Sequence, residues 1–289
     1  MLRRQRTILR LLRATDGAVS VTQLQKYLFL MRSETLLCSD SAFYEFLPYK
    51  FGPFSFSAQR ELETLIAYGY VRSSDGSLRI TTLGMPEADD VDDPTAHAVR
   101  TIVSEYGKKS QRMLLKEVYA KYAWYAVNSE LEDLIPDGIA RPKLAPMAVY
   151  TIGYESRSVD GFLNALIKEG IRRIIDVRAN PVSRKYGFAR SALAALSGKL
   201  GINYSHFPAL GISSEKRKQA KLRSDFATLF GYYERHQLPE QQNEIDNVAK
   251  LMKTTPSVLL CMEKEPVDCH RSRLAARIEA ETSLVQVHL

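Results

Sequence analysis

With 289 residues, 45% of them apolar and 25% charged, the chain is long enough for two domains of ordinary globular composition. No run of about eighteen apolar residues occurs, which argues against a membrane-spanning helix, and an odd count of three cysteines points to a reducing, cytoplasmic setting rather than a disulfide scaffold. Net charge is +7, and between Arg157 and Arg223 fourteen Lys/Arg face four Asp/Glu; that concentration suits a polyanion, nucleic acid first, against the plain alternative that the charge only aids solubility.

The basic start, Met1-Leu-Arg-Arg-Gln-Arg, leads to no small-residue cleavage site, so no signal peptide is expected. Apolar Ile8, Leu9, Leu11 and Leu12 predict an amphipathic helix broken at Asp16-Gly17. A second helix follows, with Ser20 as its N-cap. Tyr44 to Phe54 is a stiff aromatic turn around Gly52-Pro53. A third helix is predicted over Ser57 to Tyr68. Two short strands then flank Asp75-Gly76, a hairpin signal. Three helices and a β-hairpin follow the winged-helix order, a variant of the helix-turn-helix. The third helix, Ser57-Ala-Gln59-Arg60-Glu61-Leu-Glu63, is only weakly basic, so protein docking weighs as much as DNA reading, which needs donors for phosphate and guanine.

Leu24-Gln-Lys-Tyr27-Leu28 with Tyr44-Glu-Phe-Leu-Pro-Tyr-Lys-Phe-Gly52-Pro53-Phe-Ser resembles the SocA-like (Panacea) antitoxin domain, and Leu115 to Tyr125 fits its later part loosely. The resemblance covers roughly residues 1–135 and implies an interaction or regulatory module of conflict systems, without catalysis. Glu87 to Pro94 reads as an acidic loop, and Ala96 to Leu134 as two helices broken at Gly107-Lys-Lys. Tyr119, Tyr122, Trp124 and Tyr125 have helical spacing and read as core before they read as a base-stacking surface. Residues 136–146, with Pro136, Pro142 and Pro146, form the linker.

From residue 147 strands and helices alternate. Strands are predicted at Val149–Gly153, Arg173–Val177, Ile202–Phe207, Ser257–Leu260 and Leu284–Val287, and helices at Val159–Glu169, Ser191–Leu200, Phe226–His236, Asn243–Lys253 and after Cys269. Apolar strands with crossover helices mean a parallel sheet covered on both faces. The expected fold is therefore α/β: a Rossmann-like three-layer parallel-sheet domain over 147–289, preceded by a mainly helical winged-helix-like domain over 1–135.

Ligands in open α/β sheets bind outside the carboxyl ends of the strands. Those ends carry Gly153-Tyr154-Glu155-Ser156, Asp176-Val-Arg178, His206-Phe207-Pro208 and Cys261-Met-Glu263. Gly153 lets another group approach the backbone closely. A Pro-bearing loop then leads to a helix whose first turn holds Cys269, His270 and Arg271, where helix-end amides favour anions. Neither a dinucleotide fingerprint nor a P-loop is present.

Thr151-Ile-Gly153-Tyr154-Glu155, Asp176-Val-Arg178-x-x-Pro181-x-Ser183-Arg184-x-x-x-Phe188, Tyr204-x-x-Phe-Pro208-x-Leu-Gly211 and Leu260-Cys261-x-Glu263-x-x-Pro-x-x-Cys269-His270-Arg271 together resemble the family catalogued as domain of unknown function 488. The resemblance implies a Rossmann-like domain with a pocket formed by these four motifs, and it leaves the reaction open.

Three chemistries are weighed on the residues. In the first, Arg178, Arg184, Lys185 and Arg271 clamp phosphates, Glu155 or Asp176 serves as base or oxocarbenium stabiliser, and Phe188 or Tyr154 stacks on a base. N-glycosidic cleavage is then reachable, with base flipping on a duplex; Asp176 paired with Arg178 as a strut is the structural alternative. In the second, Cys261 or Cys269 acts as a thiolate, and a cysteine at a helix N-terminus beside His270 and Arg271 is expected to have a lowered pKa. In the third, Cys261, Cys269, His270 and His206 hold zinc, against the seven residues that separate the cysteines where structural sites place two to four. The candidate catalytic set is Glu155, Asp176, Cys261, Glu263 and His270. The substrate-binding set is Tyr154, Arg178, Ser183, Arg184, Lys185, Phe188, Cys269 and Arg271. No metal ligand and no cofactor is assigned. The expected activity is that of a hydrolase on a nucleotide unit, base excision from modified or foreign DNA in a defence setting. The competing expectation is a non-catalytic DNA-binding regulator or antitoxin-like sensor of an anion. DNA is the expected partner, with protein docking or self-association through the N-terminal domain.

Overall fold

The computed structural model describes residues 1–15, 18–219 and 223–289, and the chain divides into two compact units, Met1–Arg141 and Pro142–Leu289. The expected helix break at Asp16-Gly17 lies outside the described residues.

In the first unit, α1 (Arg3–Ala14) buries Ile8, Leu9, Leu11 and Leu12. β1 (Val19–Ser20) leads into α2 (Val21–Glu34). The Ser20 hydroxyl accepts from the Gln23 amide while Gln23 Oε1 accepts from the Ser20 amide, a reciprocal cap that satisfies two otherwise orphaned donors. The aromatic segment expected as a turn is a small antiparallel ladder, β2 (Leu47–Tyr49) against β3 (Gly52–Phe54). Two polar residues of α2 anchor it. Lys26 Nζ donates to the Pro53 carbonyl at 2.8 Å, and the Gln25 amide pairs with both backbone groups of Ser55. Gly52 has φ +86°, and a Cβ there would lie 2.5 Å from the Tyr119 ring.

Ser55 caps α3 (Phe56–Ala67). β4 (Val71–Ser74) and β5 (Ser77–Ile80) turn through Asp75 and Gly76, both at positive φ, as a two-residue hairpin demands. β5 also pairs with β1, which closes a three-stranded sheet. The acidic stretch expected as a loop instead forms α4 (Met85–Asp89) and, from its Asp92 cap, the start of α5 (Asp93–Tyr106). The reason is electrostatic: Glu87, Asp89, Asp90 and Asp92 pair with Arg3, Arg6, Arg10 and Arg13 of α1, which neutralises the basic start of the chain. α6 (Gln111–Lys121) follows the break at Gly107. Phe29 meets Tyr122 and Tyr125 edge-on at 4.9 and 4.6 Å, so these aromatics are core.

The second unit is built on a five-stranded parallel sheet. Its elements in chain order are β6 (Val149–Gly153), α7 (Val159–Glu169), β7 (Arg173–Asp176), α8 (Arg190–Gly198), β8 (Asn203–His206), α9 (Ser214–Gln219), α10 (Arg223–Tyr232), α11 (Leu238–Glu240), α12 (Gln242–Thr254), β9 (Ser257–Cys261), α13 (His270–Thr282) and β10 (Gln286–His288). The strand order is β10-β6-β9-β7-β8, and every neighbouring pair is parallel. β6 and β9 are buried at every position, as strands covered on both faces must be. Right-handed crossovers put α7 and α8 on one face and the helices after β8 and β9 on the other. Ile245, Val248 and Met252 of α12 and Leu274, Ala275 and Ile278 of α13 pack with Val149, Ile175 and Leu259 on that second face.

The chain runs outward from β6 through β7 to the edge strand β8 and returns through β9 to β10, so β9 lies between two strands of the outward path. Both its neighbours, β6 and β7, send their connections to the α7–α8 face, while β9 sends its own to α13 on the other. That is the topological switch point, where the diverging loops leave a crevice. The register sets Gly153 opposite Cys261 and Asp176 opposite both Leu260 and His206, so the polar strand ends lie along one edge. Among the described residues no helix is long and apolar enough to cross a membrane.

Candidate functional site

The loops after β6 and β9 are laced together. The Tyr154 amide donates to the Cys261 carbonyl at 3.3 Å and the Glu155 amide to the Met262 carbonyl at 2.9 Å. The Glu155 carboxylate accepts from the Lys264 amide at 2.9 Å. This closeness requires a glycine: a Cβ on Gly153 would lie 1.8 Å from the Glu263 carbonyl oxygen. Arg271 is 1% exposed, with its two terminal nitrogens donating to the carbonyls of Glu263 and Lys264. It fixes the loop after β9 rather than facing solvent as an anion clamp.

Asp176 and Arg178 form a buried ion pair. Arg178 Nε donates to Oδ1 at 2.8 Å and Nη2 to Oδ2 at 2.5 Å, and Nη1 donates to the Phe188 carbonyl at 2.9 Å. Tyr204 donates its hydroxyl to the same Asp176 Oδ2 at 2.6 Å. Burial, then the Asp176 carboxylate, holds the Tyr204 pKa above the ordinary tyrosine range. Burial works against the Arg178 charge, but Asp176 and Tyr154 outweigh it and leave that group firmly protonated. With both oxygens occupied, Asp176 takes the strut's geometry. The same holds for stacking. Phe188 is fully buried with its ring 4.3 Å from that of Tyr154, and Tyr154 is 6% exposed beneath Arg178. The pair forms a floor under the strand ends, with no face open to a base.

What stays accessible is a basic rim. Arg184 and Lys185 are exposed, the Lys185 amide donates to Ser183 Oγ, and Lys185 Nζ reaches the Tyr154 carbonyl at 3.3 Å. Beside it a cleft of about 630 Å³ opens between the loop after β7 and α8, lined by Asn180, Pro181, Val182, Arg190, Ser191 and Tyr204. Pro181 and Tyr204 belong to the motifs quoted from the sequence, whereas Asn180, Val182, Arg190 and Ser191 were not singled out there. The usable signal was Pro181 and Arg190 bracketing an otherwise polar loop after a strand end. Of the candidate carboxylates, Glu155 is exposed, Glu263 is half-buried and Asp176 is sealed.

At the end of β9 lies a sulfur and imidazole cluster. Cys261 Sγ, Cys269 Sγ and the His270 ring nitrogen all lie within 4.8 Å of one another, and all three residues are buried. His270 Nδ1 is 3.7 Å from Cys261 Sγ and 4.0 Å from Cys269 Sγ, while its Nε2 lies 3.2 Å from the Val177 carbonyl oxygen. Glu263 Oε2 sits 3.2 Å from Cys261 Sγ. The Tyr233 ring covers the imidazole edge-on at 5.5 Å. The expected lowering of the Cys269 pKa is reversed. Burial, reinforced by the neighbouring Cys261, pushes the thiol up to about 12. A helix N-terminus lowers a thiol pKa only where the thiolate keeps some solvation. His206, weighed with this cluster, instead places Nε2 2.8 Å from the Arg178 carbonyl oxygen.

The comparison with curated proteins finds none that matches the chain. Residues 158–278, from the N-cap of α7 into α13, match the model of the family described as Domain of unknown function DUF488.

Proposed function

We propose that the second unit is a hydrolase acting on a nucleotide unit of nucleic acid, DNA in the first instance, that cleaves the N-glycosidic bond of a modified or foreign base. The supporting observation is the accessible carboxylate of Glu155 on the same sheet edge as the exposed Arg184, Lys185 and Arg190 and the cleft beside Tyr204. Cations on the rim attract phosphate. A carboxylate held by the Lys264 amide is positioned to direct water to the anomeric carbon as the bond to the base breaks. Asp176 and Arg178 position this edge, and the stacked Tyr154 and Phe188 support it.

The first unit is proposed as a docking module. Its helices, followed by the β4–β5 hairpin, are in winged-helix order, and the buried tie from Gln25 and Lys26 to Pro53 and Ser55 involves the residues that carry the SocA-like resemblance. Arg60 is the sole cation on α3, which favours a protein partner or self-association over a DNA groove. A cytoplasmic defence setting fits this pairing of modules. One observation favours a second reading, an anion-sensing regulator without turnover: Asp176 and Arg178 satisfy each other inside the unit.

The test is incubation of the full chain with modified and unmodified DNA, scored for abasic sites. Hydrolysis predicts turnover that is lost in Glu155→Gln while DNA binding survives. A sensor predicts no abasic sites from either protein and ligand-dependent binding in both.

A further inference from the structure

We propose that Cys261, Cys269 and His270 form a site for a thiophilic divalent cation, Zn²⁺, with the Glu263 carboxylate placed to supply the fourth ligand. The spacing of the three side chains carries this assignment independently of the hydrolytic reading. Zinc–sulfur and zinc–nitrogen bonds of about 2.3 and 2.0–2.1 Å, set at tetrahedral angles, put the ligand atoms about 3.5–3.8 Å apart. The imidazole nitrogen lies 3.7 and 4.0 Å from the two sulfurs, so the apices need only small shifts to close on an ion.

The orientation of the imidazole is the second observation. A backbone carbonyl can only accept, so the 3.2 Å contact between Nε2 and Val177 O requires the proton on Nε2. Nδ1 is then the ring nitrogen that faces the two sulfurs. A ring nitrogen donating to a carbonyl while the other faces the ion is the usual outer-shell arrangement of a metal-bound histidine. Both cysteines are fully buried, where a thiolate without a cation beside it is strongly disfavoured. A dication reverses that balance: Zn²⁺ displaces one proton from each thiol, two protons leave to solvent, and the two thiolates neutralise the ion.

The chain reaches this arrangement by a route that ordinary cysteine spacing does not describe. Cys261 is the last residue of β9 and Cys269 the N-cap of α13, and between them a single 3-10 turn, Pro266–Asp268, folds the loop back. Arg271, bonded to the Glu263 and Lys264 carbonyls, holds that loop over the cluster and sets a fixed positive charge beside Glu263. Cys38 is exposed and lies in the other unit, which gives an internal control.

The test uses the full-length protein, fully reduced and stripped with a chelator, titrated with Zn²⁺ against a chromophoric competitor and in parallel with Co²⁺. One equivalent of Zn²⁺ bound per chain, with Co²⁺ giving a sulfur-to-metal charge-transfer band and intense tetrahedral ligand-field bands, is expected. Cys269→Ser and His270→Gln should each weaken Zn²⁺ binding by more than the roughly 10–100-fold that loss of an outer-shell partner costs, and Cys38→Ser should leave it unchanged. Because a variant can fail to fold, the Co²⁺ spectrum of the unaltered chain decides independently. No saturable uptake by the folded, reduced chain overturns the site. So does Co²⁺ binding without the charge-transfer band, or a Cys261–Cys269 disulfide that persists under the reducing conditions.

Discussion

Arg178 reaches back two residues to grip both oxygens of Asp176, at 2.8 and 2.5 Å, in a place where neither side chain meets solvent to any extent. Removing one partner of a buried pair leaves the other charge uncompensated, which costs roughly 3–5 kcal/mol. Asp176→Asn should therefore destabilise the second unit by about that amount, read as loss of protection in hydrogen exchange of the β7 amides. The double variant Asp176→Asn with Arg178→Met should recover part of the loss, because it no longer buries a lone cation. An Asp176→Asn protein as well protected as the wild type would show that the pair is not what holds the strand ends together.

Gly153 faces a backbone rather than a side chain. A methyl group there would meet the Glu263 carbonyl oxygen at 1.8 Å and its carbon at 2.6 Å. No rotamer change relieves a clash with main chain, so the loop after β9 must move and the Arg271 contact to that carbonyl must break. Gly153→Ala should cost at least the 1–3 kcal/mol typical of overpacking, a figure of about that order. It should also make the segment around Lys264 sensitive to limited proteolysis by trypsin. A variant cut no faster than the wild type would mean that the two loops adjust without separating.

The sheet was legible because its residues state it twice, once in the apolar runs of the strands and once in the polar residues that end them. Val159–Glu169 is the helix that its spacing of Phe162, Leu163, Leu166 and Ile167 predicts, and the polar strand ends do meet along one edge. Less legible was anything set by a partner distant in sequence. Tyr204 looks like an ordinary strand residue until its hydroxyl is found on Asp176, 28 residues away. The segment 87–94 reads as a loop because it is acidic with a proline at each end, and much of it is helical where α1 supplies the cations. The Cys261–Cys269 spacing weighed against zinc, since such rules describe ligands on one short knuckle and not a strand end facing a helix start. Arg271 looked like a solvent-facing anion ligand only because burial cannot be read from a residue's type.

The rim makes a prediction in salt. Each phosphate neutralised by a cation contributes about 0.9 to the slope of log K against log salt for duplex DNA and about 0.7 for single strands. Arg184 and Arg190 are exposed on the same loop-and-helix segment, so Arg184→Ala and Arg190→Ala should each lower the slope by about 0.9 on duplex DNA. Filter binding or fluorescence anisotropy across a salt series measures this. A slope unchanged in both variants would place the nucleic-acid track elsewhere on the chain.

Lys26 gives the first unit a pH dependence of known sign. Its ammonium is 1% exposed, and burial lowers its pKa from 10.5 to about 7, with the Pro53 carbonyl as its hydrogen-bond acceptor. Above pH 10.5 the amine is neutral in both folded and unfolded chains, and this group makes no difference to stability. Between about 7 and 10.5 the unfolded chain binds the proton and the folded one does not, so stability falls as pH falls through that window and levels off below it. The full effect is on the order of a few kcal/mol. Trp124 is the chain's single tryptophan and lies in the first unit, so its fluorescence during urea unfolding reports on that unit alone. The wild-type midpoint should rise from pH 7 toward pH 10, and Lys26→Met should flatten the rise by removing the titrating group while leaving every other ionisation in place. A variant whose midpoint climbs as steeply as the wild type's would assign the pH dependence to other residues and would mean that Lys26 stays charged inside the fold.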